Sequence, residues 1–371
     1  MLLGFGIYCA THSVDFPVYH RAAAQIVRGD YEIYPTAVYG AGVVPPHGFR
    51  YAPAIAFLFV PFGLLPLEAA TFLFFTLKVG AVVYVGSVVA RHAGSSTSTR
   101  TLMLASLLLA AGYVLEEFRY GNFHFFSIAL MVFAFDSAGS GRVVRPAVAL
   151  GIAIATKLTP VLLLAYFAWR RRFALCVVTL VVLVIIAILP AFVVGHRMNT
   201  HLLVGFAKYA LQKIDEGDNY SVRGLILHTG LSSGAVTWVW LLTVLAGTVV
   251  VVVALWPEPV APATRLLEFC VVVIAMLLAS PHTQRRYFIA VFVPMMALLA
   301  LMGGDWDLPE AGLIRVALAM TAAIGTVLPL LFAGRRLAML YQAYSPHFLG
   351  ALVMLVALVR VAMRMKSTEP F

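Results

Sequence analysis

The sequence predicts an all-α, polytopic integral membrane protein, and three observations carry that prediction. Of 371 residues, 62% are hydrophobic and only 11% charged, where soluble domains run at roughly a quarter charged. The mean hydropathy is +0.95. Apolar runs recur from one end of the chain to the other, which excludes water-soluble, disordered and fibrous classes.

Taken in order, residues 1–10 are apolar but shorter than the roughly 20 residues a spanning helix needs, and no basic region precedes them. They read as the outer end of a first transmembrane helix, either short as it stands or truncated at its start. Further apolar runs cover 54–67, 70–90, 101–115, 123–135, 147–169, 174–195, 235–256, 266–280, 287–303, 312–333 and 346–363. Several are only about 13 to 15 residues, so some must be tilted, re-entrant or half-buried, and about 11–12 membrane helices result. Two polar stretches, 11–53 and 196–234, form external loops. They are too short for an independent core but long enough for juxtamembrane helices, so the chain reads as a single integral-membrane domain. No internal repeat is visible, which argues against an inverted-repeat transporter.

The 26 Lys and Arg against 16 Asp and Glu give a net charge of +10, read here as topology rather than nucleic-acid binding. Basic positions in 91–100 and 142–145, Arg170-Arg171-Arg172, and the tail residues Arg360, Arg364 and Lys366 share a cytoplasmic side under one condition. Run 54–67 must dip into the membrane without crossing, and run 147–169 must cross twice around Lys157. Segments 11–51, 116–124, 196–223 and 280–286, together with Lys157 and Arg335-Arg336, then face outside. If 54–67 spans instead, everything after it flips. Cys9, Cys176 and Cys270 lie in apolar runs and read as small core residues.

Charged groups near membrane depth are costly and mark candidate sites. Asp15 opens Asp15-Phe-Pro-Val-Tyr19-His20-Arg21; it is either a general base at a cavity or the N-cap of a helix begun by Pro17. The knot from Glu116 through Glu117, Arg119, Gly121 and Asn122 to His124 offers groups for a metal, sugar or phosphate, with Gly121 open to a ligand, or else neutralises itself. Its paired acids lack the His/Asp spacing of a metal site. Lys157 separates two apolar halves before Pro160, as a functional cation or a snorkelling one. Ser280-Pro281-His282-Thr283-Gln284-Arg285-Arg286 suits a phosphate or lipid headgroups. The stretch Gly217-Asp218-Asn219-Tyr220-Ser221-Val222-Arg223 fits a glycosylation acceptor, a sugar contact or a plain turn. Trp238, Trp240 and Tyr341 read as packing or interfacial anchors.

In order and spacing, these pieces resemble the integral-membrane glycosyltransferases of the GT-C superfamily, and within it glycosyltransferase family 87, whose members use polyprenyl-phosphate-mannose to build α-1,2 linkages. The resemblance covers nearly the whole chain. It rests on Asp15 to Tyr19 with Ala22-Ala23, Gly29 and Tyr34; on Phe49-Arg50-Tyr51-Ala52-Pro53 and Phe62-Gly63-Leu64-Leu65-Pro66; on Gly121-Asn122; on Lys157-Leu158-Thr159-Pro160; on Asn219-Tyr220-Ser221; and on Ser280-Pro281. It implies a GT-C-type fold and an inverting sugar transfer, with mannose leading, from a polyprenyl phosphate to a glycolipid or glycan hydroxyl. The site would face the periplasm or cell exterior of the cell membrane.

On that resemblance, Asp15 is the base, while Lys157, His282, Arg285 and Arg286 neutralise the departing lipid phosphate. Tyr19, Glu117, Arg119, Asn122, His124, Asn219, Ser221 and Arg223 contact sugar or acceptor. No metal or other cofactor is expected, because cations do that work; the partners are donor, acceptor and membrane lipids, without nucleic acid. Gly121-Asn122-Phe123-His124 replaces the family's Gly-Gln-X-Asn, and Pro281-His282-Thr283-Gln284 lacks its tryptophan and paired histidines, which leaves arabinose open as the sugar. A flippase or transporter of lipid-linked saccharide would use the same cations without a base. A purely structural subunit would not gather its polar groups on one face.

Overall fold

A computed structural model describes residues 2–34, 48–212, 219–303, 309–328 and 346–368. Residues 35–47 of the first loop, Gly217, Asp218, Arg335, Arg336 and Tyr341 lie outside the described residues. The described residues form helices and turns, with no strand among them. The all-α membrane class therefore holds. Two compact units make up the chain: Met1–Val82 with Glu116–Ile214, and Val83–Leu115 with Asp215–Phe371.

Among the described residues, 6 helices are long and apolar enough to cross a membrane: Leu67–Ala93, Phe173–Val194, Ser233–Ala254, Pro262–Ala279, Arg285–Met302 and Pro346–Ser367; the bent pair Thr99–Leu109 and Ala111–Tyr120 makes up to 7. Three shorter apolar helices, His124–Ala138, Val144–Thr156 and Ala311–Val327, account for much of the difference from the 11–12 expected. The apolar runs are there, but polar and proline breaks cut them into pieces. Run 54–67 becomes Pro53–Leu58 and Val60–Gly63, neither long enough to cross. Run 147–169 breaks at Lys157 into Val144–Thr156 and Val161–Trp169.

In the first unit, an aromatic core sets the positions of the polar residues. Phe16, Tyr19, Phe49, Tyr51, Phe59, Phe74 and Phe123 are all buried together. Their ring pairs include Phe16–Phe74 at 4.6 Å, Tyr19–Phe59 at 5.2 Å and Phe59–Phe123 at 5.6 Å, the separations at which aromatic pairs attract. Val60–Gly63 lies against Phe16–Val27, and a Cβ at Gly63 would stand 2.8 Å from the Ala23 carbonyl carbon. Glycine and alanine are therefore the residues that let these two helices touch.

The second unit is organised around Pro262–Ala279, which is largely buried and packs along Pro346–Thr368. Lys366 joins them: its Nζ lies 2.5 Å from Glu268 Oε1 and also donates to the carbonyls of Leu255 (2.8 Å) and Pro257 (2.6 Å). The sequence placed Lys366 in a basic tail on the cytoplasmic side; within the unit its ammonium is committed to Glu268 and two carbonyls. By contrast, Ser233–Ala254 leaves nearly all of its apolar surface uncovered, as a lipid-facing helix does.

Candidate functional site

Asp15 stands where the first helix, Leu2–His12, turns into the second, Phe16–Val27. It occupies the N-cap position, yet its side chain makes no capping hydrogen bond (φ −87°, ψ −36°). The half-buried carboxylate instead accepts a hydrogen bond from Nδ2 of Asn122, 107 positions along the chain. Its backbone N–H donates to the Tyr120 carbonyl at 2.7 Å, as does the Ser13 hydroxyl at 3.1 Å. Of the two sequence readings, the helix cap is the one this geometry does not show, since the side chain bonds Asn122 and makes no capping hydrogen bond.

The Tyr120-Gly121-Asn122 turn is shaped for this task. Gly121 has φ +65°, and a Cβ there would run into Ser13 Oγ and lie 2.8 Å from Phe16 Cβ. The space that sequence reasoning reserved for a ligand at Gly121 is thus filled by the chain itself. Asn122 is buried, and its Oδ1 accepts the His124 N–H at 3.1 Å. That bond decides which end of the amide faces Asp15: the NH2.

Beneath the turn lies a pair whose lysine the sequence reading passed over. Lys78 and Glu117, 1% and 0% exposed, meet at 3.2 Å. Lys78 also donates to the Glu117 carbonyl at 3.1 Å and sits 5.3 and 5.2 Å from the ring centres of Phe74 and Phe118. The signal was available, because a lysine inside the apolar run 70–90 carries the same membrane cost that singled out Lys157.

Two of the residues expected at the sugar or acceptor are buried within the first unit. Glu117 is sealed from solvent, and its Oε1 is engaged by Lys78 and by the Phe125 N–H at 3.1 Å. The Tyr19 ring is buried in the aromatic core, and its hydroxyl bonds the Tyr51 hydroxyl at 2.9 Å. Arg119 is exposed on the last turn of Ala111–Tyr120, so the polar knot is largely helix rather than loop. His124 is buried at the start of His124–Ala138. Lys157 is half-buried in extended backbone (φ −157°, ψ 133°) at the end of Val144–Thr156, where Pro160 opens the next helix.

In the second unit, Asn219 does for a backbone turn what Asn122 does for a carboxylate. Its Oδ1 accepts N–H groups from Ser221 (3.1 Å) and Thr283 (3.0 Å), and its Nδ2 donates to the Pro281 carbonyl at 2.8 Å. Ser221 donates to the same carbonyl at 3.3 Å while accepting the Gly224 N–H at 3.2 Å, which caps Val222–Leu227. The Tyr220 N–H reaches the Thr283 carbonyl at 2.7 Å. Asn219 and Ser221 were expected to touch sugar or acceptor, and Asn219 also fits a glycosylation pattern. Both are buried and engaged with the 281–283 backbone.

The turn they brace carries His282, half-buried, directly before Arg285 and Arg286. Arg285 donates to the Gly325 carbonyl at 3.3 Å, on the π-helical turn Ala323–Val327. Arg223 is buried within Val222–Leu227. Sequence reasoning also missed His347, which is buried against Tyr220 and Phe288 and bonded through Nδ1 to the Tyr113 hydroxyl at 2.8 Å. Among the described residues, no three His, Cys, Asp or Glu side chains converge as metal ligands.

Comparison with known proteins bears on this arrangement. Residues 49–281 match the family description of glycosyltransferase family 87. The chain is also 27% identical, over 345 aligned positions covering 85% of it and 75% of the relative, to the polyprenol-phosphate-mannose-dependent alpha-(1-2)-phosphatidylinositol mannoside mannosyltransferase of Mycobacterium tuberculosis.

Proposed function

The chain belongs to glycosyltransferase family 87, and from that premise we propose that it transfers mannose from a polyprenyl-phosphate donor to a hydroxyl of a glycolipid or glycan acceptor, with inversion, at the outer face of the cell membrane. The observation that carries this reading is the Asp15–Asn122 hydrogen bond: a half-buried carboxylate, aimed by a locked amide and not spent on its own helix. Such a group is suited to general-base work. As the acceptor oxygen forms its bond to the sugar's anomeric carbon, Asp15 takes the hydroxyl proton. The bond from that carbon to the phosphate oxygen breaks, and polyprenyl phosphate leaves with the electron pair.

The leaving group is already an anion, so its departure needs positive charge rather than a proton. Lys157, His282, Arg285 and Arg286 are assigned to that phosphate, through charge-assisted hydrogen bonds of the kind arginine makes best. The relative's use of polyprenol-phosphate-mannose supports both donor and sugar, and its phosphatidylinositol mannoside acceptor supports a glycolipid. With side-chain cations in place of a divalent ion, transfer proceeds in chelator. The test is purified protein in lipid, supplied with labelled polyprenyl-phosphate-mannose and envelope glycolipids, with and without EDTA. Label appearing in a glycolipid in both arms is the expected result. Transfer from no polyprenyl-phosphate sugar overturns the donor assignment, and loss of transfer in EDTA overturns metal independence.

A further inference from the structure

Lys78 and Glu117 are both closed to water in the interior of the first unit. Two charges removed from water lose several kcal/mol of hydration each, and only good geometry with full hydrogen bonding returns it. This pair is incomplete, since Glu117 Oε2 is buried and has no hydrogen-bond partner among the described residues. Maximal stability is therefore a poor account of it, and its connections supply a better one.

Lys78 donates to the side chain and to the main-chain carbonyl of the same glutamate, and Glu117 Oε1 takes the Phe125 N–H. The pair thereby ties the last turn of Ala111–Tyr120 to the first turn of His124–Ala138. Between those two anchor points lie Tyr120, Gly121 and Asn122, the residues that hold Asp15 by backbone, packing and side chain respectively. We propose that the Lys78–Glu117 ion pair is a positioning device for Asp15: it fixes the 120–122 turn and sets the field in which the carboxylate takes up the acceptor proton. This rests on Asp15 being the base.

The charged neighbours define the signs. Asp15 lies within electrostatic range of both members of the pair, and the Cys9 thiol within range of Lys78. Glu117→Gln keeps the oxygen that Lys78 and Phe125 use and leaves the lysine uncompensated. The acidic limb of the transfer-rate profile, where the base becomes protonated, should then move to lower pH. Lys78→Met, which takes a cation from the carboxylate's surroundings, should move it to higher pH. A merely structural pair would not shift the limb in opposite directions.

Because a lone buried charge can prevent folding, the double variant Lys78→Met/Glu117→Leu gives an independent reading, apolar replacements of buried pairs being commonly tolerated. Assayed as full-length protein in lipid, it should bind donor normally while kcat falls at least tenfold. Asp15→Asn runs in parallel. If Asp15→Asn stays active, the base assignment itself fails. If Asp15→Asn is inactive but the double variant keeps wild-type kcat, or the single variants leave the limb unmoved, only the positioning role is overturned.

Discussion

Lys78–Glu117 in the first unit and Lys366–Glu268 in the second are the same chemical pair, each closed to water, and they serve different ends. Lys366 spreads its donors over Glu268 and two backbone carbonyls, so it closes the ends of three helices together. Lys78 gives two bonds to a single residue, completes its surroundings with two aromatic faces, and lies within range of a third ionisable group, Asp15. A buried ion pair is weak support for stability on its own account. What separates a fastening from a functional element is the company the pair keeps.

Two variants sharpen that contrast, the larger effect first. Lys366→Met strands Glu268 and should cost about 3–5 kcal/mol of stability, read as a lower Tm and poorer yield. The protein that does fold should keep the wild-type pH profile, unlike Lys78→Met. A profile that moves as much as that of Lys78→Met would erase the distinction between the pairs. Gly121→Ala should cost about 1–3 kcal/mol, since it forces a side chain onto a left-handed residue and into Ser13 and Phe16. Its kcat should fall with donor KM unchanged, because the turn holding Asp15 is displaced. A variant with reduced Tm and full kcat would show that the turn need not be held so tightly.

The membrane class was legible because composition alone decides it, and the break at Lys157 because lysine and proline both interrupt an apolar helix. Asp15 was legible as a carboxylate at a membrane edge. Its partner was not, because Asn122 is 107 positions away and no local pattern links them. The Asn219–Pro281 brace, 62 positions apart, was hidden for the same reason. Both asparagines were singled out in the sequence without these bonds, since a side chain that holds a turn and one that touches substrate look identical in sequence. Lys78 was readable but passed over: averaged into a long apolar run, a single charge leaves mean hydropathy high. Among the described residues fewer single helices are long enough to cross than the 11–12 expected, because hydropathy reports apolar length without reporting where a helix breaks.

The central claim is that the Asp15 carboxylate accepts the proton of the attacking hydroxyl. Asp15→Asn preserves size and leaves the charge out, so transfer by the purified variant in lipid, measured beside its affinity for polyprenyl-phosphate-mannose, is the most direct test. Loss of rate by about 10²–10⁴-fold with donor affinity retained is the predicted result. Transfer within a few-fold of the unmodified protein would contradict it.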